Sequence, residues 1–176
     1  MHGCGGVGLS AVMIAAASGA RVVAVDVSPR ALDLARKFGA AECLDATGVP
    51  DTAAAVQELT GGGAHLSSTP SARPPPARPP WTPAPPRPAR PGGPAALGGR
   101  HHPVPLARAI ALELELLGSH GMAAHAYPGM LELVGSGVLR PDLLITRTIP
   151  LDAVPEALAA MGTAPGAGVT VIEPWS

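Results

Sequence analysis

A chain of 176 residues with a net charge of −1 has room for one domain and carries no electrostatic footprint for nucleic acid or an acidic membrane surface. Its two cysteines, Cys4 and Cys43, lie outside any CxxC pair, which argues against a disulfide framework or a zinc knuckle. With no apolar run of about 18 residues and no basic-then-apolar leader, the expectation is a cytoplasmic protein without a transmembrane helix.

Apolar residues make up 47% of the chain but aromatics only 2%, so any core must rest on Ala, Val and Leu. Gly3-Cys4-Gly5-Gly6-Val7-Gly8 leads into Leu9, Val12, Met13, Ala16 and Ala17 at helical spacing, with Gly19 as the stop. Arg21 to Asp26 is a short β-branched run of the kind that forms a buried parallel strand. Ser28-Pro29 then supplies an N-cap hydroxyl and a proline at the first helical position, for a helix bearing Leu32, Ala35 and Phe38 and ending at Gly39. Glu42 to Asp45 reads as the next strand, and Asp51 as the cap of a third helix carrying Val56 and Leu59 up to Gly61. Alternating strands and helices predict an α/β fold built on a doubly wound parallel sheet.

Residues 68–94 break this pattern. Twelve of these 27 residues are Pro, four are Arg and none is acidic. Proline removes backbone donors and blocks both helix and central strand, so the stretch is expected to be disordered or polyproline-like. It reads as a linker or, more sharply, as a ligand for an aromatic-lined groove. The periodic pattern returns near residue 104. Ala111 to Leu117 alternates apolar and acidic residues, 128–134 reads as a short helix, Leu143 to Ile149 as a strand, Asp152 to Met161 as a helix and Val169 to Ile172 as a last strand. The organisation is therefore 1–66, a Pro/Arg-rich segment 67–96, and 97–176.

The chemistry lies in the first turn. Gly3-x-Gly5-Gly6-x-Gly8 opens a helix, and an acidic residue, Asp26, closes the following strand 18 positions after Gly8. This is a dinucleotide fingerprint. Gly3 permits a tight turn, Gly5 lets the backbone approach a pyrophosphate, and Gly8 allows close packing of helix on strand; Gly6 and Val7 lie between them at the helix N-terminus, whose N–H groups and dipole face an anion. Asp26 would accept hydrogen bonds from both ribose hydroxyls and repel a 2′-phosphate, favouring NAD over NADP. Arg30 falls near the adenosine ribose by spacing and reads equally as a solvated charge at a helix start. The histidines include one adjacent pair, His101-His102, which reads as loop residues because a metal site needs convergent ligands.

The run His2 to Ala11 resembles the cofactor turn of the medium-chain dehydrogenases, in particular the zinc-type alcohol, polyol and threonine dehydrogenases. Val25-Asp26, Leu34 to Ala40 and Asp45 continue the likeness in register. So do Leu116 to Ser119, Leu133-Val134 with Ser136-Gly137, Ile145 to Leu151 and Glu156 to Leu158. It covers about residues 2–66 and 97–174. The resemblance implies an incomplete Rossmann-type domain that binds NAD(H). It implies a zinc-dependent parent enzyme acting on a small alcohol, but the GroES-like domain that carries the zinc ligands in that family has no counterpart here. The likeness also places Leu112 to Ser119 on the strand that pairs across the family's dimer interface, a route to a homo-oligomer; an ordinary buried strand needs the same alternation.

Two departures shape the functional expectation. The fingerprint should follow a first strand, yet the chain starts at Met1-His2, where the family commonly has Val and a GTG start codon would give Met. The Pro-rich segment stands where the family has its fourth strand, a helix and its fifth strand. Synonymous codons for Ser68 to Trp81, moved back one base, spell a family-like segment beginning Asp-Ala-Leu-Gly; Pro88 to Gly93, moved the opposite way, spells Arg-His-Val-Gln-Val-Gly. The segment is thus expected to be those elements read out of frame. The first expectation is a fragment of a zinc-type NAD(H)-dependent alcohol dehydrogenase, inactive alone and partly folded or aggregation-prone for want of strands one, four and five. An NAD-binding module without catalysis and a Pro-rich interaction protein stand beside it.

Overall fold

The computed structural model describes residues 1–69, 106–115, 121–161 and 166–175. The first helix, α1 (Gly6–Ala17), is followed by strand β1 (Val23–Asp26), helix α2 (Pro29–Lys37), strand β2 (Glu42–Asp45) and helix α3 (Thr52–Thr60). Each boundary has a local cause. Pro29 occupies the first turn of α2 and the Ser28 hydroxyl accepts the Ala31 N–H at 3.3 Å. The Asp51 carboxylate accepts from Ala53 and Ala54 at 3.0 and 3.1 Å, capping α3.

β1 and β2 pair in parallel, Val23 opposite Glu42 through Asp26 opposite Asp45. β1 is buried on both faces, and its alternation sorts two cores. Val22 and Ala24 face Leu9, Val12 and Met13 of α1 and Ala31, Leu32 and Ala35 of α2. Val23 and Val25 face the other way, onto Val56 of α3. Helices therefore cover both sides of the strand, as the alternating pattern predicts.

The expectation that the first strand is absent needs correction. The Met1 nitrogen donates to the Val23 carbonyl at 2.8 Å, Val25 N–H donates to the Met1 carbonyl at 2.9 Å, and Gly3 N–H donates to the Val25 carbonyl at 2.8 Å. This is a parallel ladder, with His2 bridged to Val25. On the far side His2 N–H donates to the carbonyl of the buried Ser68 at 2.9 Å. Met1–Gly3 thus lies beside β1 on the side away from β2, with Ser68 bonded to its far edge. From residue 70 the Pro-rich segment lies outside the described residues, as does the predicted fifth strand.

After that segment come helix α4 (Leu106–Ala111), helix α5 (Tyr127–Gly135), strand β3 (Ile145–Pro150), helix α6 (Val154–Ala160) and strand β4 (Val169–Glu173). β3 and β4 form a second parallel pair. Leu139 and Leu144, which lead into β3, join the core against α1. The strand expected over Leu112 to Ser119 is not formed by its described part. Glu113 donates to the Ile110 carbonyl and Leu114 to Ala109, which closes α4 with a turn, and Glu113 takes a φ of 50°. Residues 116–119 lie outside the described residues. Among the described residues no helix is long and apolar enough to cross a membrane.

Leu9 has no exposed surface, whereas Leu131 is 57% exposed. We expect Leu9→Ala to cost about 2–5 kcal/mol in urea denaturation through lost contacts and a residual cavity, and Leu131→Ala to stay within about 0.5 kcal/mol. Equal effects would mean that α1 does not pack as described.

A candidate nucleotide-binding turn

The stretch Gly3 to Gly8 runs from the Met1–Gly3 segment into the first turn of α1. Gly3 has a φ of 92°, a left-handed conformation that side chains disfavour, and it reverses the chain out of the sheet. Cys4 follows with no exposed surface, its thiol directed at the Val25 carbonyl 3.9 Å away. Gly5 is the N-cap of α1 and offers no side-chain cap. The first intrahelical bond runs from Leu9 N–H to the Gly5 carbonyl at 2.8 Å, so the N–H groups of Gly6, Val7 and Gly8 precede the helical ladder. No acidic residue stands in the first turn to offset the dipole.

The glycines of the turn stand in different surroundings. A β-carbon at Gly5 would meet nothing within 4 Å, so the space before this residue is open to a ligand. Gly8 is buried, as close helix packing requires. At Gly6, however, a β-carbon would come within 3.0 Å of Val169 Cγ2 and 3.2 Å of the Gly168 carbonyl oxygen. Val7 is 68% exposed and presents its side chain to solvent.

Asp26 stands at the carboxyl end of β1, half-buried beside this turn. Its Oδ2 accepts the Cys4 N–H at 2.6 Å and its Oδ1 accepts the Ser28 N–H at 2.8 Å. A carboxylate has about four acceptor positions, so two are left beyond these backbone donors, enough for a ribose diol. The sequence reading missed the two amide donors. The Asp26 to Ser28 contact is an Asx turn whose signal, Asp two residues before Ser-Pro, was visible; the Cys4 contact spans 22 residues and had no local signal. Asp45 is the register partner of Asp26, with Thr47 donating twice to its Oδ1 and holding its carboxyl below the usual range. Arg30 lies exposed in the first turn of α2.

Burial governs the neighbouring titratable groups. It pushes the Cys4 thiol up to about 12, with the Asp26 carboxylate adding to the effect. It pushes His2 down to about 3, with the nearby positive amino group of Met1 as the second cause. The Cys43 thiol donates to the Leu32 carbonyl at 3.5 Å. Among the described residues no three His, Cys, Asp or Glu side chains converge as a metal site. Both thiols are thus directed at backbone carbonyls, and the described residues do not fit a catalytic zinc.

Residues 6–136 match the family described as zinc-binding dehydrogenase. The chain is 28% identical over 182 residues to a probable D-xylulose reductase A of Emericella nidulans, covering 99% of this chain and 49% of that protein. It is 35% identical to a geraniol dehydrogenase of Castellaniella defragrans, covering 91% of this chain and 44% of that protein. It superimposes on the alcohol dehydrogenase of Aeropyrum pernix with a TM-score of 0.78 at 25% identity, over 98% of this chain and 48% of that one. The chain spans about half the length of the curated relatives it matches.

The buried cysteine gives a direct check on this geometry. At pH 8 a thiol held near 12 is almost wholly protonated, so iodoacetamide should leave Cys4 unlabelled until urea unfolds the chain. His2 sets a second one. Its ordinary value is 6.5 and its folded value about 3, so the unfolded chain takes up the proton first. The His2 contribution to stability should be full above pH 6.5 and be lost as pH drops from there towards 3, and His2→Gln should flatten that part of the fall. Rapid labelling of Cys4 in the native chain, or a pH profile unchanged by His2→Gln, contradicts the placement of the Met1–Cys4 segment.

Proposed function

The chain belongs to the zinc-binding dehydrogenase family, and on that premise we propose that it binds NAD(H) through the Gly3–Gly8 turn and Asp26, as the cofactor-holding part of an oxidoreductase acting on an alcohol or polyol. The observation that carries the proposal is the pairing of an open approach at Gly5 with a carboxylate whose two oxygens are each fixed by one backbone N–H. The pyrophosphate would meet the free N–H groups of Gly6, Val7 and Gly8 at the positive end of α1. Asp26 would accept the two ribose hydroxyls with the lone pairs that Cys4 and Ser28 leave over. Arg30, two residues beyond Ser28 and exposed, would face the adenosine side of the same ribose.

Bound nicotinamide supplies the hydride chemistry; this chain's residues bind and orient it. The carboxylate also sets cofactor choice. A 2′-phosphate would sit against the negative charge of Asp26, with Asp45 in register beside it, and both raise the cost of NADP. The catalytic zinc of the complete enzyme, and with it the alcohol substrate, would be held by residues other than those described. The relatives named above act on a pentulose and a terpene alcohol by their names, so the substrate class is proposed only as a small alcohol or polyol.

Calorimetric titration tests this reading. NAD should bind saturably. Gly5→Val should keep the fold, since its side chain meets open space and its φ of −74° suits any residue, but should weaken NAD by about tenfold or more through overlap with the pyrophosphate. Asp26→Asn should narrow the preference for NAD over NADP by about tenfold. Absence of saturable NAD binding by a chain with a folded circular dichroism spectrum sinks the proposal, as does a Gly5→Val variant that binds like the parent.

A further inference from the structure

The sequence gives no reason for the start of the last strand to matter to the cofactor turn, from which it is some 160 residues distant. The structure brings them together. Gly168 and Val169 lie directly behind the first turn of α1, close enough that a β-carbon at Gly6 would sit 3.0 Å from Val169 Cγ2 and 3.2 Å from the Gly168 carbonyl oxygen. Gly168 is itself confined. It takes a φ of 84°, and a β-carbon there would collide with Thr146 Cγ2 and lie 2.7 Å from the Leu144 carbonyl oxygen. The Thr146 hydroxyl donates to the Ala167 carbonyl at 2.6 Å, tying the segment before β4 to β3. The glycine at position 6 thus lets α1 rest against the Val169 side chain and the Gly168 carbonyl, while the glycine at position 168 lets that segment lie close to Leu144 and Thr146.

We propose that Gly168 and Val169 are positioning residues for the nucleotide: they form the seat against which the first turn of α1 rests, and so set where the Gly6, Val7 and Gly8 N–H groups stand. The proposal rests on the cofactor reading above and adds to it a part that the fingerprint does not contain. The seat acts through Gly6, whose own N–H is among the three donors. A displacement of a few tenths of an ångström at Gly6 passes to Val7 and Gly8, because a helix turn moves as a unit and packed interiors do not absorb strain locally. The rest of α1 is held by the same half of the chain: Arg140 N–H meets Met13 Sδ at 3.3 Å, and Leu139 and Leu144 pack in the core with Val12 and Met13. Gly6 is therefore required by the last strand rather than by the phosphate.

The experiment compares the parent with Gly6→Ala, Val169→Ala and the double variant, reading NAD affinity by calorimetry and the Val7 and Gly8 amide resonances without nucleotide. Gly6→Ala should shift both resonances and weaken NAD by about tenfold. Val169→Ala removes Cγ2, so the double variant should return the resonances towards the parent and recover part of the affinity, a rescue that general destabilisation cannot produce. The inference is overturned if Gly6→Ala leaves the resonances in place, or if the double variant is no better than Gly6→Ala. A parent chain that binds no NAD defeats the cofactor reading alone, since the amide resonances still decide whether β4 places the turn.

Discussion

Asp26 holds the site together by accepting two backbone donors from different parts of the chain. One oxygen takes the Cys4 N–H from the glycine turn and the other takes the Ser28 N–H at the entry to α2. Hydrogen bonds to an ionised acceptor are shorter and stronger than neutral ones. Here they fix the turn to the end of β1 and the start of the next helix at once. The fingerprint aspartate is thus a structural residue before it meets any ligand. Its carboxylate is already oriented by these two bonds, so under the proposed function little ordering would remain to be done when a nucleotide binds. Substituting it removes a ligand contact and releases the turn together, which is why Gly5, facing open space, gives the cleaner probe of binding.

The same economy explains how so little sheet supports the turn. β1 is the only described strand buried on both faces, and it divides its side chains between α1 and α2 on one side and α3 on the other. The Met1–Gly3 segment needs only three ladder bonds to lie beside it. Burial of Cys4 and Leu9 then locks the turn from below. Ligands of open α/β sheets bind at the carboxyl ends of the strands, and the Met1–Gly3 segment leads into the glycine turn at that end of β1.

Much of this was legible in the residues. Gly3, Gly5, Gly8 and Asp26 at their spacing, the Ser28-Pro29 helix start and the Asp51 cap are local signals, and each acts within a few residues of where it is read. The strand expected around Leu112 failed because an alternating apolar and acidic run fits a strand only if a partner lies beside it; here the backbone turns at Glu113 after a short helix. The first strand was misjudged for the opposite reason, since two residues are too few to show a period while their backbone groups can still complete a ladder. The role of Gly6 was invisible because its neighbour, Gly168, is distant in sequence and the constraint is steric. Periodicity reports which face is apolar, not which backbone it will touch.

The contact between Gly6 and Gly168 changes how the two halves of the chain are to be regarded. By sequence, the C-terminal half is a set of short elements after a Pro-rich break, and among its described residues most apolar side chains are exposed in the structure: Leu131, Leu151, Leu158 and Met161 are each more than half exposed. By geometry, two of its buried residues meet α1. Leu139 and Leu144 lie in the core with Val12 and Met13, and Val169 packs at its edge. The half that carries no fingerprint therefore supports the helix whose N-terminus is the fingerprint. A glycine turn with a correct spacing is then insufficient by itself: its donors point usefully only while something holds the helix behind them. In this chain that support comes from β4 and the segment leading into β3, and a fingerprint lacking them would keep its glycines without keeping their placement.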